Sequence, residues 1–142
     1  MNTTELSENA VRAYIDAIGA GKTDVIQDML AEDATWTLIG SLPMTGTWQG
    51  RAAIFEDFLG LAFGRIDAAT LELSTTSLLA SGGKVAAEWT SRTEVRGGGQ
   101  YDQECVGIFT VRDGLIVSVR EYVDTDHTRT ALFRSWRTDP AG

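Results

Sequence analysis

The sequence predicts an α+β domain in which helices come first and a long antiparallel meander follows. Between residues 4 and 63, apolar side chains recur at i, i+3, i+4 and i+7, the spacing of helices with one buried face. Beyond Gly64 the pattern becomes strand-like, in four extended segments joined by Ser81-Gly82-Gly83, Gly97-Gly98-Gly99 and Asp113-Gly114. Such connectors suit hairpins that need positive φ. Helices followed by hairpin-linked strands make an α+β plan.

The first helix is expected from about Thr4 to Ile18, with Leu6, Ala10, Val11, Tyr14, Ile15 and Ile18 on its apolar face and Gly19-Ala20-Gly21 stopping it. A short second helix carries Val25, Ile26, Met29 and Leu30 and ends at Glu32-Asp33. Thr35 to Ile39 reads as a short strand, and Gly40 to Gly50 as a loop. A third helix presents Ile54, Phe55, Phe58, Leu59, Ala62 and Phe63. Asp67–Leu79, Lys84–Arg96, Tyr101–Arg112 and Leu115–Asp124 are the four meander strands. A last segment, His127 to Trp136, carries helical spacing through Leu132, Phe133 and Trp136. It is expected to cap the pocket, join a dimer contact or fray. The domain is expected to span residues 1–126, with 127–142 a tail that is partly helical or disordered.

With 142 residues the chain is long enough for one proper core. A net charge of −8 argues against a nucleic-acid partner, because phosphate contacts need a basic surface. No apolar run approaches the ~20 residues of a membrane span. The first residues lack the basic and apolar regions of a signal peptide, so a cytoplasmic location is the expectation. One cysteine and one histidine give no basis for a zinc site, and no cofactor is implied. Cys105, in an apolar strand without an evident base, reads as a buried thiol, and His127 as a surface residue.

The last strand holds the most informative residue. Alternation puts Leu115, Val117, Val119, Glu121 and Val123 on one face. A carboxylate among aliphatic neighbours is costly unless it is paired, hydrogen-bonded or neutralised. Glu121 is therefore either a functional carboxyl or one turned toward water by a local irregularity.

The runs Tyr14-Ile15-Asp16-Ala17-Ile18-Gly19-Ala20-Gly21 and Met29-Leu30-Ala31-Glu32-Asp33-Ala34-Thr35-Trp36 resemble the start of ketosteroid isomerase and SnoaL-like proteins. Gly50-Arg51-Ala52-Ala53-Ile54 and Asp113-Gly114-Leu115-Ile116 extend the resemblance almost to Asp126. It implies a cone-shaped, curved antiparallel sheet wrapped around three N-terminal helices, with an internal apolar pocket, and homodimers formed through the outer face of the sheet. Tyr14 matches the isomerase tyrosine, but the isomerase base falls near Leu38 and its oxyanion-binding acid near Gly107, neither of which transfers a proton.

Arg92-Thr93-Glu94 and Arg120-Glu121-Tyr122-Val123-Asp124 are similar to the motifs of the limonene epoxide hydrolase branch. That resemblance implies Arg92, Glu94 and Glu121 as a catalytic set, with Glu121 the base and Glu94 the acid. The branch also positions its water with a Tyr and an Asn, where this chain has Trp36 and Leu38. The pocket is expected to contain Tyr14, Trp36, Leu38, Phe58, Cys105 and Val123.

Two placements of the Lys84–Arg96 strand stay open. Either Arg92 and Glu94 are a solvated pair, or their face lines the pocket while Val85, Ala87, Trp89 and Val95 pack in a homodimer. The resemblance favours the second. The leading expectation is a small-molecule enzyme using carboxylate acid–base chemistry on an apolar substrate, most concretely epoxide hydrolysis. A SnoaL-like cyclase or isomerase, or a non-catalytic ligand-binding or dimerisation module, is the alternative.

Overall fold

The computed structural model describes residues 1–134. Helix α1 (Thr3–Gly19) starts at Asn2, whose side chain accepts the Glu5 N–H, and α2 (Thr23–Met29) follows. Strands β1 (Leu30–Leu38) and β2 (Gly46–Gln49) lead to a π-helical stretch, Ala53–Leu59, that runs into α3 (Gly60–Phe63). The meander comprises β3 (Ile66–Ser81), β4 (Lys84–Val95), β5 (Gln100–Arg112) and β6 (Leu115–Val123), and α4 (Thr125–Leu132) closes the described chain.

The strands form one curled open sheet in the order β2-β1-β6-β5-β4-β3. All neighbours are antiparallel except β1 and β6, which run parallel. This parallel pair brings the first strand beside the last and gives the α+β body its cone shape. Helix α1 packs against β3 and β4, so the concave side of the sheet is the inner one.

The expected elements and their faces need four corrections. Leu30 opens β1 and does not extend the second helix, and the predicted loop contains β2. In α1, Leu6 is 53% exposed while Ser7 is buried with Val11, Tyr14 and Ile15. Position 7 lies i−4 and i−7 from Val11 and Tyr14, so it shares their face although its side chain is polar. In β6, Thr110 pairs with Ser118 but Val111 with Ile116, which leaves Val117 as a bulge. Ile116 therefore takes the inner face before the bulge; Val119, Glu121 and Val123 take it afterwards. The Asp113-Gly114 turn has positive φ at both residues (53° and 77°), as the hairpin chemistry requires.

Strand β4 resolves the two open placements. Val85, Ala87, Trp89 and Val95 are buried within the chain itself, so they cannot form the dimer contact expected of them. Arg92 and Glu94 are on the opposite, exposed face. The segment from His127 forms α4 and packs onto β5, with Thr128, Leu132 and Phe133 buried. Trp136, expected to continue its apolar face, lies outside the described residues. Among the described residues no helix is long and apolar enough to cross a membrane.

Candidate functional site

Between the helices and the concave sheet lies a cavity of about 130 Å³, a size that accommodates a small ring compound. Its wall is mostly apolar, with Ile15, Ile18, Phe58, Leu59, Phe63 and Leu73 from the helices and β3. Six residues named from the sequence line it: Tyr14, Trp36, Leu38, Phe58, Cys105 and Val123. Glu121 lines it too. Arg92 and Glu94 do not. In β4 the side chains that point inward are Trp89, Ser91 and Thr93, one residue out of phase with the expected pair. The Arg92–Glu94–Glu121 convergence is therefore corrected: the sheet separates Glu121 from the other two, and neither makes a side-chain ion pair among the described residues.

The register places Glu121 in the middle of a row across the sheet, with Leu38 beside it on β1 and Gly107 on β5. Its Oε1 accepts the Trp36 Nε1–H at 3.1 Å. Burial in this apolar wall raises the Glu121 pKa to about 7, with the Trp36 hydrogen bond opposing the rise. The carboxyl is thus poised between its protonated and ionised forms near neutral pH.

Tyr14 projects from α1 into the same cavity, and its buried hydroxyl has no hydrogen-bond partner among the described residues. Burial, then the Glu121 charge, raises its pKa well above that of an ordinary phenol, so it stays a neutral donor. An unpaired buried hydroxyl is uncommon and costs free energy, which makes it a site for an oxygen of a bound molecule. Tyr14, Trp36, Phe58 and Phe109 pack as a continuous aromatic group, with centroid separations from 5.4 to 6.4 Å.

At another part of the wall, Tyr101 shares a hydrogen bond with Thr128 at 2.9 Å, and burial pushes its pKa up to about 12. Gln103, 3% exposed, clasps α4 to β5: its Oε1 accepts the Asp124 N–H, and its Nε2 donates to Asp124 O and Thr128 Oγ1. This clasp puts Thr128 and Leu132 in the cavity wall. Sequence reasoning missed Ser91, Thr93, Tyr101 and Thr128. The signal for Ser91 and Thr93 was their shared parity with Trp89. Cys105 is buried, and burial raises its thiol pKa, which suits packing. His127 stacks on Tyr101 at 5.3 Å outside the cavity lining, and its Nε2 accepts the Asp102 N–H. Trp48 packs on Phe58 and donates to Met44 O. Among the described residues no cluster of three or more His, Cys, Asp or Glu is placed to hold a metal ion.

Solved structures share this architecture along nearly their whole length. Bal32a, from a soil-derived mobile gene cassette, is 26% identical with a TM-score of 0.82, over 92% of this chain and 99% of that one. An NTF2-like protein from Burkholderia xenovorans LB400 is 26% identical with a TM-score of 0.73, over 93% and 99%. An LEH-like epoxide hydrolase from M. tuberculosis is 22% identical with a TM-score of 0.73, over 94% of each, a likeness of fold. A search of curated proteins finds no match. The SnoaL-like domain matches residues 11–119, and with the curled sheet, the aromatic cavity and the neighbours of NTF2-like and ketosteroid isomerase-like fold, the chain belongs to the SnoaL-like family.

Proposed function

We propose that this protein is an enzyme that moves a proton within a small, neutral, largely apolar carbonyl compound, as an isomerase or cyclase of the SnoaL-like kind. One observation carries the reading. A carboxyl with a pKa of about 7 and a tyrosine hydroxyl with no partner among the described residues line the same apolar cavity. A general base works best when its pKa lies near the working pH. Glu121 takes a proton from the carbon beside the carbonyl, and the C–H electron pair moves into the enolate. The Tyr14 hydroxyl donates a hydrogen bond to the developing oxyanion, strengthened by the low dielectric of the cavity. Glu121 then returns the proton to another carbon, or the enolate carbon attacks a second carbonyl in the same molecule and Glu121 gives its proton to the alkoxide that forms as the C=O π bond breaks. Among the described residues no Lys, Arg or His lines the cavity, so an anionic substrate would find no counter-charge there.

The geometry favours this reading over epoxide hydrolysis by two carboxylates, because among the described residues no second Asp or Glu lines the cavity. The test is deuterium uptake from heavy water into a panel of small cyclic ketones and enones, followed by NMR, with small apolar epoxides assayed in parallel. The expected result is exchange beside the carbonyl that Glu121→Gln abolishes and Tyr14→Phe slows by about 10²–10³-fold, the loss typical of one oxyanion donor. Hydration of epoxides without exchange, or ligand binding with no turnover, would overturn it.

A further inference from the structure

Glu121 receives one hydrogen bond from the described residues, from Trp36 Nε1 to Oε1. Its Oε2 has no partner among the described residues, yet it is not one of their buried unpartnered atoms, so it is open to the cavity the residue lines. The two oxygens are therefore chemically distinct. The donor itself is fixed. Trp36 is 3% exposed and is packed between Phe58 at 5.4 Å, Tyr14 at 6.0 Å and Phe109 at 6.3 Å, centroid to centroid. On β1 it pairs with Val119, two residue pairs before Leu38 and Glu121, so both side chains share a face and the indole lies diagonally across the parallel pair from the carboxyl.

We propose that Trp36 is the positioning residue of this site: by holding Oε1, its indole N–H leaves Oε2 as the one oxygen of Glu121 that takes up and returns the substrate proton. The proposal rests on the acid–base reading of Glu121 and deepens it. In the acid form Oε1 is the carbonyl oxygen, bonded to the indole, and Oε2 carries the proton. When the proton leaves, the negative charge spreads over both oxygens and the indole hydrogen bond strengthens, since a charge-assisted bond is the stronger kind. When the proton arrives, the C–H electron pair stays with the substrate as an enolate and the new O–H bond forms at Oε2. Trp36 thus fixes the direction of transfer and also opposes the burial that favours the neutral acid.

The titratable groups facing Glu121 are Tyr14 from α1 and Tyr101 and Cys105 from β5, all kept protonated by burial. The described cavity residues of β1, β4, α4 and the π-helical stretch add no ionisable group to the wall, and among the described residues the indole is the hydrogen-bond donor to this carboxyl.

The experiment replaces Trp36 by benzothienylalanine through codon suppression. This analogue keeps the bicyclic shape and the aromatic packing but has sulfur where the indole has N–H. The Glu121 carboxyl is followed by difference infrared spectroscopy, its C=O band assigned by its absence in Glu121→Gln. In the wild type it is expected to titrate at about 7. In the analogue the midpoint should rise by about one pH unit, the worth of a hydrogen bond to a charged acceptor. The alkaline shift should appear equally in the pH profile of deuterium exchange. Trp36→Phe, checked for folding by circular dichroism, should shift the midpoint the same way. A midpoint that stays put or falls, in an enzyme that still exchanges, overturns the proposal alone. Absence of exchange in the wild type overturns the acid–base reading and the proposal with it.

Discussion

The ring of Trp89 occupies the space that a side chain on Gly107 would need. A Cβ at Gly107 would come within 3.0 Å of Trp89 Cη2 and Cζ3 and 2.8 Å of Phe109 Cε1. Gly107 is buried and neighbours Glu121 across β5 and β6, so this close approach shapes the wall beside the carboxyl. Gly107→Ala should destabilise the protein by about 1–3 kcal/mol, the cost of overpacking a filled core. It should also push Trp89 toward the cavity and weaken ligand binding. Denaturant unfolding at pH 5, with Glu121 mostly protonated, isolates the packing effect. An unchanged midpoint would show that the two rings yield freely.

The raised pKa of Glu121 carries a stability signature with a definite sign. In the unfolded chain the carboxyl titrates near its ordinary value of 4.5, and in the folded protein at about 7. Between those pH values the native state holds the extra proton, so rising pH favours unfolding across that window. The penalty is absent below pH 4.5, grows through the window and is complete above 7, where it amounts to about 3 kcal/mol. Glu121→Gln keeps an oxygen for the Trp36 N–H but has no charge to bury. The variant should match the wild type at pH 4.5 and exceed it in stability at pH 8, while losing activity. Thermal unfolding at the two pH values checks this. A variant less stable than the wild type at pH 8 would show that the ionised carboxyl does not destabilise the fold.

Arg92→Ala and Glu94→Ala should each change stability by no more than about 0.5 kcal/mol, as is usual for exposed positions. Both side chains lie on the outer face of β4, away from the cavity. Turnover should survive both substitutions. Loss of activity in either, with the fold intact by circular dichroism, would return these residues to the catalytic set.

The pattern of residues in the sequence told which side chains share a face, but not which face turns inward. Alternation grouped Val119, Glu121 and Val123 correctly because nothing interrupts β6 after its bulge. It failed at Leu115 and Val117 because the bulge at Val117 shifts the phase by one. For β4 the grouping held, yet the pocket side was read wrongly. The decision is made by α1, whose Tyr14 and Ile15 meet the sheet on the side carrying Trp89 and Phe109. That contact spans most of the chain and leaves no local mark. The Gln103 clasp on α4 was hidden for a related reason: a polar residue on an inward parity reads as a flaw until its partners, Asp124 and Thr128, are seen.

Val85, Ala87 and Trp89 are buried in the interior, which leaves the outer face of the sheet as the surface for the homodimer we expect. There Ala86, Val106 and Ile108 are partly exposed and Tyr122 is 42% exposed. Val106 stands beside Tyr122, and Ile108 lies between Ala86 and Arg120, so the apolar side chains form one patch across β4, β5 and β6. Contiguous apolar surface of this kind marks an interaction site, and a twofold contact lets the same patch serve both partners. We expect a homodimer joined through this face. Ile108→Lys would set two like charges near each other across the contact and should give a folded monomer, while Val85, on the inner face, plays no part in assembly. Analytical ultracentrifugation at micromolar concentration checks both states. A wild type that sediments as a monomer, or an Ile108→Lys variant that stays dimeric, would remove the outer face as the contact.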